Sequence, residues 1–195
     1  MHQARTMIQT LGLSADAPSS RSAELVAAFQ HVCATQLERV HAYVRYRVSS
    51  ADAAEELTAK TFLRALERLH TFDAAKGELT PWLFGIARHL VKDFLRARRR
   101  WTWIPMDWIV PRECRDPNPE AAMAAGELRQ HLAHALTCLP GRDRDVLGLK
   151  FAAGFTNREI SRITGLREGH VGVIVYRAVA RLRRQLAAKG IDRDG

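Results

Sequence analysis

Asp52, Glu55 and Glu56 lie close together in the first half of the chain, and grouped carboxylates can pass protons or hold a divalent cation. No His or Cys cluster stands near them, and Ser49 and Ser50 come just before. Serine followed by acids marks a helix start, where a hydroxyl caps free N–H groups and the acids offset the helix dipole. Capping, or a protein interface, therefore outweighs catalysis there. His131, His134 and Cys138 share a helix face at i, i+3 and i+7 and could begin a zinc site. The fourth ligand would have to come from His31, Cys33 or Cys114, all distant in sequence, so Cys138 reads better as a small core residue. No catalytic residue, metal or other cofactor is assigned.

The stronger chemistry is cationic. Arg177, Arg181, Arg183, Arg184 and Lys189 follow one another with no acid among them. Arg88, Lys92, Arg96, Arg98, Arg99 and Arg100 form a second group, with Asp93 as its sole acid. Aromatic residues flank this group: Phe72, Trp82 and Phe84 before it, Trp101 and Trp103 after it. Phosphates call for excess positive charge, because released counterions supply much of the affinity. Rings interleaved with cations suit single-stranded nucleic acid, whose bases stack on them; equally, Trp82 and Phe84 are good core residues.

These side chains need helices to hold them. Apolar residues recur at helical spacing from Ala23, through Leu25, Phe29 and Val32 to Val40 and Val44. A second helix runs from the Ser49–Ser50 cap to about His70, with Leu57, Phe62, Leu66 and Leu69 as its stripe. Thr71 to Glu78 reads as a loop. Thr80 and Pro81 then predict a helix start, proline being suited to the first helical position. Four prolines between Trp101 and Glu120 break the pattern and mark a linker, whose three tryptophans suggest that it docks. Helical spacing resumes from Ala121, pauses at Pro140–Gly141 and continues to about Lys189.

Within that second half, Thr156-Asn157-Arg158-Glu159 is a capping box, Thr164-Gly165-Leu166 a tight turn, and Val171, Val175, Ala178 and Leu182 the inward stripe of a longer helix. Short helix, glycine turn and longer helix make a helix-turn-helix, whose second helix enters the major groove. No segment alternates as a half-buried strand does. The fold expected is all-α, in two small helical domains. The boundaries are a flexible lead over 1–22, a first domain over 23–100, a linker over 101–120, a second domain over 121–189 and a tail over 190–195.

Composition agrees with this reading. The chain has 195 residues, 47% of them hydrophobic, and carries a net charge of +9, which points to a polyanionic partner. No run approaches the ~20 apolar residues of a membrane span. Met1 to Ser22 lacks the apolar core and small-residue cleavage pattern of a secretory signal. Three scattered cysteines fit a reducing compartment, so the cytoplasm is the expected location, without membrane insertion.

Two segments resemble the extracytoplasmic-function sigma factors, compact bacterial sigma factors that keep only regions 2 and 4. Ala54-Glu55-Glu56-Leu57 with Phe62-Leu63-Arg64-Ala65 resembles their helix that grips the polymerase clamp. Thr80 to Arg100 resembles the helix that recognises and opens the minus-ten element, and Ala135 to Leu186 resembles region 4, which reads the minus-thirty-five element. The resemblance implies Glu55, Glu56, Leu57 and Phe62 as polymerase contacts. It implies Phe72, Lys76, Trp82, Arg88, His89, Lys92 and Arg96 as minus-ten contacts, with flipped bases held at the loop. Arg158, Arg167, His170, Val173, Tyr176, Arg177 and Arg181 follow as minus-thirty-five contacts. It further implies polymerase core (clamp and flap), double- and single-stranded promoter DNA and an anti-sigma factor as partners.

The chain departs from the family in places. Ala59-Lys60 stand where the family often has Gln then an acid, His89 where Asn is usual, and Gly172-Val173-Ile174 where a basic-Ser-Arg run is usual. Base reading then falls on His170, Tyr176 and Arg177, with Val173 suited to a thymine methyl. Two alternatives belong to other classes. A stand-alone helix-turn-helix regulator would bind inverted repeats tightly without polymerase, and a metal-dependent nucleic-acid enzyme would use Asp52, Glu55 and Glu56.

Overall fold

The computed structural model describes residues 20–48, 50–101 and 131–188, which are helical apart from short connections, with no strand among them. The linker beyond Trp101, the residues up to 130, most of the lead, the tail, Ser49 and Cys114 lie outside the described residues. Helix α1 spans Ser20–Arg47, α2 Ala51–Glu67 and α3 Leu79–Trp101, with a 3₁₀ turn at Leu69–Thr71. Residues 131–137 form α4. Then come α5 Gly141–Leu147, a π turn Gly148–Ala152, α6 Asn157–Thr164 and α7 Glu168–Ala187.

Ser50 caps α2, its side chain accepting from the Ala53 amide at 3.2 Å, and Asp52 lies in the opening turn. The buried Thr58 and Thr61 donate their hydroxyls to Ala54 O and Leu57 O, each at 2.7 Å, which satisfies both groups inside the core. α3 begins one residue before the predicted Thr80 cap. The Trp82 amide donates to Glu78 O at 3.3 Å, so Pro81 is the third helical residue rather than the first. A missing N–H is harmless at either position, since the first-turn amides have no helical acceptor.

Val40, Tyr43 and Val44 of α1, Ala54, Leu57 and Ala65 of α2, and Leu83, Phe84, Ala87 and Val91 of α3 form the first half of the core. Val146, Leu149, Ile160, Ile163, Val171 and Ile174 form the second, and both belong to one continuous cluster. Two modules follow one another along the chain, and in space they share a core. Phe84 is the joint: its ring meets Phe155 edge-on at 4.6 Å and lies 6.1 Å from Tyr43. Arg39 covers the other side of Phe155, 3.9 Å from the ring centroid, and donates to Ala153 O at 2.7 Å.

Gly148 permits the approach of α1. Its backbone is ordinary right-handed helix, so no unusual dihedral requires glycine. A Cβ there would stand 2.7 Å from Tyr46 Cδ1 and 3.3 Å from Tyr43 Cδ2. Space requires it instead. None of the described helices is long and apolar enough to cross a membrane.

Candidate nucleic-acid interface

Below the N-terminus of α3, the loop after the 3₁₀ turn is closed by Asp73. Its carbonyl accepts from the Lys76 amide and its carboxylate from the Ala75 amide, both at 3.0 Å. Phe72 and Trp82 face each other at 5.5 Å, tilted by 60°. They help to line a hollow of about 800 Å³ together with Asp73, Lys76 and Pro81. Lys76 is 84% exposed at its rim. An open hollow with half-buried rings and an exposed lysine, paired with Asp73 Oδ2 at 3.2 Å, is suited to an unstacked base and its phosphate.

Along α3, His89, Lys92 and Arg96 are exposed. Asp93 holds the first and last, with His89 Nε2 at 3.1 Å and Arg96 Nη1 at 3.7 Å from its carboxylate. Phe84, one of the flanking aromatics, is fully buried and unavailable for stacking. Arg88 does not join the exposed face either. Its Nε and Nη2 donate to Asp145 Oδ2 at 2.9 and 2.8 Å, and its Nη1 to Ile163 O at 2.9 Å.

The second basic face is built on the helix-turn-helix. Thr156 and Glu159 form the expected capping box, and Gly165 takes the left-handed conformation at φ 73°. The two hydrogen bonds from Thr156 hold the Glu159 carboxyl below the usual glutamate range. On α7, Val171, Ile174 and Ala178 are buried. That packing turns His170, Val173, Tyr176, Arg177 and Arg181 outward on one side, with Val173 46% and Tyr176 77% exposed. Arg158 and Arg167 are exposed at the starts of the two helices.

A groove of about 450 Å³ runs between the start of α5 and this face, lined by Pro140, Arg142 and Asp143 opposite His170, Val173, Arg177 and Arg181. Arg142 contacts the His170 imidazole. Sequence reasoning missed Arg142, because only the packing of α5 on α7 brings it to the face.

On α2, Glu55 and Glu56 are exposed, and Glu56 pairs with Lys60 at 2.5 Å. Leu57, expected as a polymerase contact, is 6% exposed and belongs to the core, while Phe62 is half-buried against it. The apolar side chains that α2 presents to solvent are Leu63 and Leu66, at 42% and 38% exposure. Among the described residues no three His, Cys, Asp or Glu side chains gather where a metal could sit.

Comparison with known proteins follows the same division. Residues 34–101 match the Sigma-70 region 2 family and residues 129–182 the Sigma-70 region 4 family. The ECF RNA polymerase sigma factor BldN of Streptomyces coelicolor is 31% identical over 181 residues, covering 89% of this chain and 69% of that protein. The ECF RNA polymerase sigma factor EcfG of Rhodopseudomonas palustris is 31% identical over 146 residues, covering 75% and 78%. Among solved structures, the sigma factor RpoE from Bartonella quintana, in complex with the anti-sigma factor NepR, superimposes with a TM-score of 0.63 at 25% identity. That likeness covers 85% of this chain and 98% of RpoE.

Proposed function

Since the chain belongs to the extracytoplasmic-function RNA polymerase sigma factors, we propose that its first module engages the minus-ten element while its second reads the minus-thirty-five element. One observation carries this division of labour: two basic faces of different chemistry stand on the two matched regions. The α3 face joins cations to a hollow walled by Phe72 and Trp82, which suits single-stranded bases. The α7 face has no hollow of that kind. It offers a helix with His170, Tyr176 and Arg177 outward, the geometry of major-groove reading.

Leu63 and Leu66, flanked by the exposed Glu55 and Glu56, give α2 a surface for the polymerase clamp. Region 4 would rest on the flap. The chain acts in the cytoplasm and performs no covalent chemistry, the polymerase supplying the active site. An anti-sigma factor regulates it, by analogy with the Bartonella RpoE complex. A stand-alone regulator is disfavoured, because it gives no reason for a region 2 match ahead of the helix-turn-helix.

The test is reconstitution. Bacterial core polymerase with the purified chain should start transcripts at discrete genomic promoters that core alone does not use. Absence of any such transcript, on any genomic template, would overturn the reading.

A further inference from the structure

We propose that Asp93 is a positioning residue for base selection. It fixes the proton of His89, so that the imidazole accepts a hydrogen bond and selects a base with an exocyclic amine, adenine or cytosine, at one minus-ten position. This rests on the assignment of α3 as the minus-ten face given above.

His89 and Asp93 stand one turn apart on α3, with side chains 74% and 49% exposed. His89 Nε2 lies 3.1 Å from Asp93 Oδ2, and Arg96 Nη1 lies 3.7 Å from Oδ1, so both carboxylate oxygens face a neighbour on the same helix. A pair this exposed contributes little to folding. On a surface meant for phosphates, a negative charge also weakens binding. Asp93 nevertheless sits in the middle of that surface, the only acid between Arg88 and Arg100. What it supplies is the orientation of the two side chains it holds.

The polarity of the His89 contact follows from its partner. An ionised carboxylate only accepts, so His89 donates from Nε2. A neutral imidazole has one N–H, which leaves Nδ1 as a lone-pair acceptor. In the major groove, adenine and cytosine each present an amine donor, whereas guanine offers N7 and O6 and thymine offers O4, all acceptors. Nδ1 therefore matches adenine or cytosine and meets another lone pair at guanine or thymine. An asparagine, usual at this position in the family, carries donor and acceptor on one amide and is not restricted in this way. A histidine oriented by a carboxylate is.

The experiment uses holoenzyme assembled from core polymerase and the full chain, at pH 8. Its template is a promoter recovered by the reconstitution above, with each minus-ten position carried through all four bases in one pool. Transcripts are counted by sequence. The unmodified chain should favour adenine or cytosine over guanine and thymine at one position by about three- to tenfold, the worth of one hydrogen bond. His89→Ala should flatten that position alone. Asp93→Ala should flatten the same position, because the His89 proton can then sit on either nitrogen. Binding to every template should at the same time strengthen, with a salt slope steeper by about 1, as Arg96 turns to phosphate. The double variant should flatten the position no further than either single one. A preference for guanine or thymine at the position that His89→Ala flattens overturns the proposal, as does the absence of any such position. So does an Asp93→Ala chain that keeps the preference, or that loses binding on every template, the mark of a purely structural residue. In each of those cases transcripts from discrete promoters leave the promoter reading standing. An unmodified chain that starts no promoter-specific transcript overturns that reading and the proposal together.

Discussion

The carboxylate of Glu159 accepts two hydrogen bonds from Thr156, one from its amide and one from its hydroxyl, each at 2.7 Å. The Thr156 hydroxyl in turn accepts from the Glu159 amide at 3.3 Å. This reciprocal pair fixes the entry of α6, and α6 fixes the height at which α7 is presented.

Thr156→Ala should lower the unfolding free energy by about 1 kcal/mol, the usual worth of a helix cap. Urea denaturation at neutral pH measures it. Glu159→Gln adds a pH signature. Its carboxyl lies below the ordinary glutamate range when folded, so its contribution is present above the unfolded value and lost as pH falls through the folded one. The stability gap between parent and Glu159→Gln should narrow steadily on acidification, and a gap independent of pH would contradict it.

Two glycines of the helix-turn-helix should respond oppositely to alanine. A Cβ at Gly172 meets only Asn157 Nδ2 at 3.5 Å, an ordinary contact, so Gly172→Ala should stabilise the chain by about 1 kcal/mol. Gly165 has φ 73°, where a side chain costs about 1–2 kcal/mol, so Gly165→Ala should destabilise it by that amount. Thermal melts of both variants decide the matter.

Arg177 and Arg142 lie on the same groove and should differ in kind. Arg177→Ala, on the outward face of α7, should cost ~1–3 kcal/mol of promoter binding and relax preference at one base pair. Arg142→Ala, at the start of α5, should weaken all sequences alike and reduce the salt slope by about 1. Binding of the holoenzyme to a panel of single-base promoter variants, at several salt concentrations, separates the two.

Burial pushes the Cys33 thiol up to about 11, while Cys138 is exposed. The thiolate is the reactive form, so native-state alkylation near pH 8 should modify Cys138 about tenfold faster or more than Cys33. Peptide mapping after timed quenching reads the ratio, and in denaturant the two rates should converge.

Local patterns in the sequence were good guides because neighbours in sequence carry them. The capping box at Thr156, the left-handed Gly165 and the outward set from His170 to Arg181 depend only on residues a turn or two apart. Pro81 was displaced by two positions because α3 gains its start at Leu79. Leu57 stands in the apolar stripe read from the helical spacing and is core; the polymerase contact implied for it came from the resemblance alone. The Arg88–Asp145 pair joins residues 57 positions apart, and no local signal announces it. The π turn at Gly148–Ala152 had no signature in the sequence either.

Phe155 stands on a border, edge-on to Phe84 and roofed by Arg39. Dividing this protein at its linker therefore does not yield two tidy halves. Each fragment would carry a raw apolar scar, and its solubility and self-association would reflect the cut. Work on isolated halves would gain from a polar replacement at Phe155, so that what is measured belongs to promoter recognition and not to the wound.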